Sequence, residues 1–116
     1  MVFNNIVSEN KDSSLASCYN TGNGLFTAPI AGNYLFHAAV YGASGNIFTQ
    51  SWFTLNGARA AGTDWVLNAA YSFVQNTTVM RLAAGNTVGF KPYGSGSNVS
   101  LNANANHTYF KVTLLS

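Results

Sequence analysis

The feature that most constrains this chain is the regular interruption of short apolar runs by turn-forming residues. Glycine (11 residues) and asparagine (15 residues) break the apolar runs at intervals of roughly 8–12 residues, which is the strand spacing of all-β sandwiches and barrels. No apolar run approaches the roughly 18 residues that a membrane-spanning helix needs. The pattern therefore predicts an all-β sandwich built from short strands.

Two segments give the clearest strand signals. Residues 32–41 and residues 47–55 are largely apolar on both of their alternating faces, and the second segment ends at the turn pair Asn56-Gly57. Strands that are apolar on both faces are expected to be covered on both faces. The segment 66–82 also fits one helix face, but its β-branched and aromatic residues favour two strands. Further strands are predicted over residues 3–7, 25–27, 87–92, 98–106 and 107–115.

Charge is scarce in this chain and the remaining polarity comes from neutral groups. Charged residues make up 7% of the 116 residues and the net charge is +2, without the basic stripe that binding to nucleic acid or anionic membrane requires. The length fits a single domain spanning residues 1–116. A lone cysteine, Cys18, excludes an intrachain disulfide and is expected to be a small buried apolar side chain, the alternative being a disulfide between subunits.

Four motifs in order resemble the globular head of the C1q family. Residues 19–36 read YNTGNGLFTAPIAGNYLF, which is similar to the family pattern of Tyr, a turn, Phe-Thr-Ala-Pro and Gly-x-Tyr-x-Phe. The segments LNG (55–57), LAAGNTV (82–88) and TYF (108–110) followed by Leu114-Leu115 resemble its Asn-Gly turn, its Leu-x-x-Gly-Asp-x-Val segment and its closing strand. Together they span nearly the whole chain.

The resemblance implies a ten-stranded antiparallel jelly-roll sandwich of the C1q and tumour-necrosis-factor superfamily. It also implies a homotrimer, with His37, Tyr109, Leu35 and Tyr41 in the subunit interface. His37 is expected to be a packed interface histidine, the alternatives being an axial metal or anion site or a pH switch. Asn86 stands where the family usually has Asp, so no metal site is predicted. The domain is expected to be the C-terminal head of a longer fibre or stalk protein.

Two groups of residues are candidates for ligand binding. Trp65 lies beside Asp64 and close to Arg59, a set that would stack a sugar ring and bind its hydroxyls if Trp65 is exposed; packing in the core or the trimer is the alternative. Alternating amides at Asn102, Asn104 and Asn106 would bind sugar hydroxyls or form an ordinary solvated strand face. Tyr93 is a further candidate, in a predicted loop. Trp52, inside a strand, is expected in the core or the interface.

Catalytic motifs are missing from the sequence. There is no Gly-x-Ser-x-Gly turn and no His-x-x-x-His spacing. We therefore predict a non-enzymatic homotrimeric recognition head without cofactor, which binds a glycan or a cell-surface protein and neither binds nucleic acid nor inserts into membranes. The alternative is a structural trimerisation cap for a fibrous or collagen-like stalk, with no ligand of its own. The expected location is outside the cell, on a cell surface or on a virion.

Overall fold

Two β-sheets face each other in the computed structural model, which describes residues 3, 6–9, 13–41, 47–71, 73–95 and 108–116. Residues 13–18 form a short 3-10 helix. The strands are β1 (Ile6–Glu9), β2 (Tyr19–Asn20), β3 (Leu25–Thr27), β4 (Gly32–Tyr41), β5 (Ile47–Leu55), β6 (Ala58–Arg59), β7 (Trp65–Tyr71), β8 (Phe73–Leu82), β9 (Thr87–Ser95) and β10 (Tyr109–Leu114). The predicted all-β sandwich is confirmed.

The first sheet has the strand order β1-β10-β4-β8, and the second has the order β2-β3-β9-β5-β6, with β7 also paired to β5. Every pair is antiparallel except β1 with β10, which run parallel. The prediction of a wholly antiparallel fold was wrong at this pair. β1 is an edge strand whose chain continues into the 3-10 helix and then into the other sheet, so no hairpin turn sets its direction.

Alternating side chains of the long strands build an aromatic core between the sheets. On β4 the even-numbered residues from 34 to 40 are buried, while Leu35, His37 and Tyr41 lie on the outer face. The inward rings contact one another, as Phe36 does with Phe53 and Phe110 at centroid distances of 6.1 and 5.8 Å. Edge-on and tilted ring pairs of this kind stabilise a core beyond the area that they bury.

Two asparagines fix the turns at one end of the second sheet. Asn56 and Gly57 have positive φ angles of 49° and 86°, as expected of a two-residue hairpin between β5 and β6. The Asn56 side chain also accepts a hydrogen bond from the Thr87 amide at 2.9 Å. Asn86 accepts a hydrogen bond from the Ala83 amide at 2.7 Å and closes the turn between β8 and β9.

Several strands begin or end at residues other than the predicted ones, and one predicted strand lies outside the described residues. The first strand is Ile6–Glu9 rather than 3–7, and β9 extends to Ser95, so that Tyr93 lies in a strand rather than in a loop. The predicted strand 98–106 falls outside the described residues. Cys18 is partly exposed rather than buried. In the described part of the chain, the helical segment of six residues is far too short to span a bilayer.

Candidate functional site

The outer face of the second sheet carries a cluster of aromatic and charged side chains, which we call the Arg59 platform: Trp52, Arg59, Asp64 and Tyr93. The guanidinium carbon of Arg59 lies 3.7 Å from the centre of the Trp52 ring. The Trp52 and Tyr93 rings are 6.0 Å apart at an interplanar angle of 36°. Arg59 Nη1 lies 3.5 Å from Asp64 Oδ2. Cation and carboxylate therefore meet beside a pair of aromatic rings.

Strand periodicity explains why these residues meet. Phe53 and Ser51 of β5 point into the sandwich, so Trp52 between them must point outward. The register pairs Gln50 with Tyr93 and Trp52 with Lys91, which places both β9 side chains on the same outer face. The tight β5–β6 hairpin then folds Arg59 back over Trp52.

The electrostatics of the platform are those of an exposed site. The side chains of Arg59 and Asp64 are 49% and 45% exposed, so their ion pair contributes little to folding stability. Lys91 adds a second positive charge, which leaves this face with a net charge of +1 (Arg59 and Lys91 against Asp64). Among the described residues, Asp64 is the one ion-pair partner of Arg59, and most of its five guanidinium donors remain available to a ligand.

Trp65 lies apart from the platform although it is adjacent to Asp64 in the sequence. It is 47% exposed, but the register pairs it with buried Ser51. Paired residues share a side of the sheet, so Trp65 lies on the side opposite to Trp52, at the open edge formed by β7. The structure therefore brings Arg59, Asp64 and Tyr93 together. The tryptophan in this cluster is Trp52, not the predicted Trp65. Trp52 is half-buried under Arg59 and does not belong to the core.

The outer face of the first sheet, which we call the β4 face, contains the predicted interface residues. His37 lies in its centre with both ring nitrogens hydrogen-bonded, Nδ1 to the hydroxyl of Thr77 on β8 and Nε2 to the hydroxyl of Tyr109 at 2.9 Å. Burial, and secondarily the charge of Lys111, lowers the pKa of His37 below its ordinary value of about 6.5. Neutral His37 is therefore the favoured form near pH 7.

Apolar side chains flank His37 along β4, whereas its cross-strand neighbours are Thr77 and Lys111. Leu35 and Tyr41 lie on the same strand face, and the Tyr41 ring contacts Phe73 at a centroid distance of 6.1 Å. Val79, the register partner of Leu35, is 54% exposed, whereas Ala39 is 1% exposed. The structure thus brings His37, Tyr109, Leu35 and Tyr41 onto one face, which also carries Arg81 and Lys111.

Some candidates cannot be placed. Asn102, Asn104 and Asn106 lie outside the described residues. Within the described ranges, no group of three or more His, Cys, Asp or Glu side chains is positioned to hold a metal ion.

Sequence reasoning missed the role of Trp52. The usable signal was the alternation within residues 47–55, where Trp52 falls between two inward positions, together with a two-residue hairpin that returns Arg59 to the same face.

Comparison with known proteins adds no family to this geometry: no family model matches the chain, and no curated protein is significantly similar to it.

Proposed function

We propose that this chain is a non-enzymatic, homotrimeric recognition head of the C1q and tumour-necrosis-factor type, which acts outside the cell or on a virion surface. In this proposal the β4 face joins the subunits and the Arg59 platform binds a glycan or protein ligand. The observation that carries the proposal is the chemical difference between the two outer faces: the β4 face has Leu35, Tyr41 and Val79 beside a neutral histidine, whereas the other face stacks Arg59 on Trp52 next to Asp64.

The jelly-roll assignment is supported by the nesting of the strand pairs. β5 pairs with β7, β4 with β8, β3 with β9 and β1 with β10. A long hairpin rolled into two sheets produces this order of pairs, and jelly rolls are double-sheet folds of eight such strands. β2 and β6 are short additions at the margins. The parallel β1–β10 pair is the one departure from a rolled hairpin.

Self-association is supported by the composition of the β4 face. Exposed Val79 and Tyr41 lie near Leu35 and His37 on this face, and exposed large apolar side chains grouped in this way are typical of an interface. Lys111 is the register partner of His37, and its aliphatic stem can pack on apolar neighbours while its ammonium reaches water. A binding role rather than catalysis is supported by His37, whose ring nitrogens bond two hydroxyls and no carboxylate.

Sedimentation velocity combined with native mass spectrometry tests the assembly. We expect a mass three times 12.3 kDa for the wild-type chain. Val79→Lys should shift the chain to monomer because it removes an exposed apolar contact and adds a third positive charge per subunit beside Arg81 and Lys111. Val66→Lys is the matched control, since Val66 is 71% exposed on the outer face of the other sheet and should leave the trimer intact.

A monomer at micromolar concentration in the wild type, or identical behaviour of the two lysine variants, would contradict the proposed trimer. Ligand binding is tested separately on a glycan array and by capture of surface proteins with the wild-type trimer. A trimer that binds none of these ligands would favour a structural cap over a recognition head.

A further inference from the structure

We propose that the Arg59 platform binds an acidic saccharide, with a ring carboxylate on Arg59 and the sugar face on Tyr93. This deepens the proposed function and rests on it, since it takes the outer face of the second sheet as the ligand surface. Eight residues of the 116 are charged, and three of them, Arg59, Asp64 and Lys91, lie on this face, where Arg59 also stacks on an aromatic ring.

Arg59 is held in a position suited to binding a carboxylate. Its guanidinium carbon lies 3.7 Å from the centre of the Trp52 ring, and this cation–π contact restricts the positions that the guanidinium can take. Arginine binds carboxylates through two parallel hydrogen bonds of about 2.7–2.9 Å. The distance to Asp64 is 3.5 Å, longer than such a bond, so Asp64 orients Arg59 without saturating it.

Tyr93 supplies a stacking surface at the right place. It is 55% exposed and borders Trp52 at 6.0 Å, so a ring that lies on Tyr93 is within reach of the guanidinium. The apolar C–H face of a pyranose matches a flat aromatic ring, while its hydroxyls need amide and carboxylate partners. Gln50, the register partner of Tyr93, and Asp64 are placed to provide them.

The charge balance selects an acidic sugar over a neutral one. Arg59 and Lys91 outweigh Asp64 by one charge, so this face attracts an anionic sugar and gives a neutral sugar no such attraction. A peptide ligand is less suited, because peptides add most readily to an open strand edge through main-chain hydrogen bonds. The platform lies on a sheet face where β5 is paired on both sides. The ligand class is therefore a polysaccharide that contains uronic acid or a similar carboxylated sugar.

The test compares each acidic oligosaccharide with its own uncharged derivative. Linear trisaccharides of galacturonate, glucuronate or mannuronate are each titrated into the wild-type protein by isothermal calorimetry. The methyl ester of each trisaccharide is titrated in the same way. We expect at least one acid to bind about tenfold more tightly than its ester, the difference that a hydrogen-bonded charge pair supplies. The preference should decline with added salt.

Four variants assign the effect to the platform. Arg59→Gln should remove the preference for the acid and leave binding of the ester nearly unchanged, whereas Tyr93→Ala should weaken both. Asp64→Asn should tighten binding of the acid, because it removes a like charge that repels the ligand carboxylate and keeps an amide oxygen as the hydroxyl acceptor, and misfolding cannot produce such a gain. Arg81→Gln is the matched control, because Arg81 is an exposed arginine on the other sheet. It should leave the dissociation constants for the acid and the ester unchanged.

Equal affinity for acid and ester, or equal losses in Arg59→Gln and Arg81→Gln, would overturn the inference. Binding of neutral saccharides alone would overturn it while leaving the recognition function standing. Binding of no saccharide on a broad array would remove both the inference and the glycan part of the proposed function.

Discussion

At the scale of single residues, His37 shows how burial and hydrogen bonding set the charge state of a side chain. Its two hydroxyl partners, Thr77 and Tyr109, can bond the neutral ring, and its neighbour Lys111 opposes a second positive charge. The pKa of His37 is accordingly lower in the folded chain than in the unfolded chain. The unfolded state therefore binds more protons at mildly acidic pH, and the free energy of unfolding must fall there.

We predict that stability declines as the pH falls below about 6.5 and levels off below the folded-state pKa of His37. Urea unfolding at pH 7.5 and pH 5, at one protein concentration, measures the decline. His37→Gln should reduce it, and Lys111→Gln should reduce it partly because one of the two causes is removed. An unchanged pH dependence in His37→Gln would show that this histidine is not responsible.

Asn76 has a structural role that could not be predicted from the sequence. It is 3% exposed in the middle of β8, and its amide donates to the carbonyl of Thr63 at 2.6 Å and to the hydroxyl of Ser51 at 3.3 Å. These bonds connect the two sheets and satisfy a buried polar group. Nothing distinguishes Asn76 from the other asparagines in the sequence, because its partners come together only through long-range strand pairing.

At the scale of elements, periodicity was informative wherever a strand was long and apolar on both faces. The bounds of β4 and β5 were predicted to the residue, as residues 32–41 and 47–55. The choice of two strands over a helix in 66–82 was also right. The short edge strands were poorly predicted, since β1 and β6 have too few residues for a period to appear and depend on their neighbours for pairing.

The β5–β9 pair offers a test of how closely elements pack. A Cβ atom on Gly89 would lie 2.8 Å from Thr54 Oγ1 and 3.1 Å from Leu25 Cδ2. We predict that Gly89→Ala destabilises the fold by about 1–3 kcal/mol through overpacking. In a Thr54→Ala background the penalty should shrink, because the nearest contact is gone, and a double-mutant cycle from urea unfolding measures that coupling. Equal penalties in both backgrounds would contradict a steric origin at Thr54.

At the scale of the whole molecule, the fold separates two outer faces by the thickness of the sandwich. Val79 belongs to the sheet that contains β4, whereas Arg59 and Tyr93 belong to the opposite sheet. The sequence could predict neither arrangement in full, because which face a strand presents outward depends on which sheet it joins. If one face assembles subunits and the other binds ligand, the platforms in a trimer all remain accessible to a surface.

This separation predicts that assembly changes avidity without changing the affinity of one site. Val79→Lys, as a monomer, should bind a soluble acidic trisaccharide with the wild-type dissociation constant, because the platform is intact. On a surface densely coated with the same saccharide, its apparent affinity should fall by about 100-fold or more, the loss expected when linked sites become single. Surface plasmon resonance and calorimetry provide the two measurements, with the wild-type chain as the trimeric reference. A parallel loss in solution would mean that the two faces are coupled through the sandwich rather than independent.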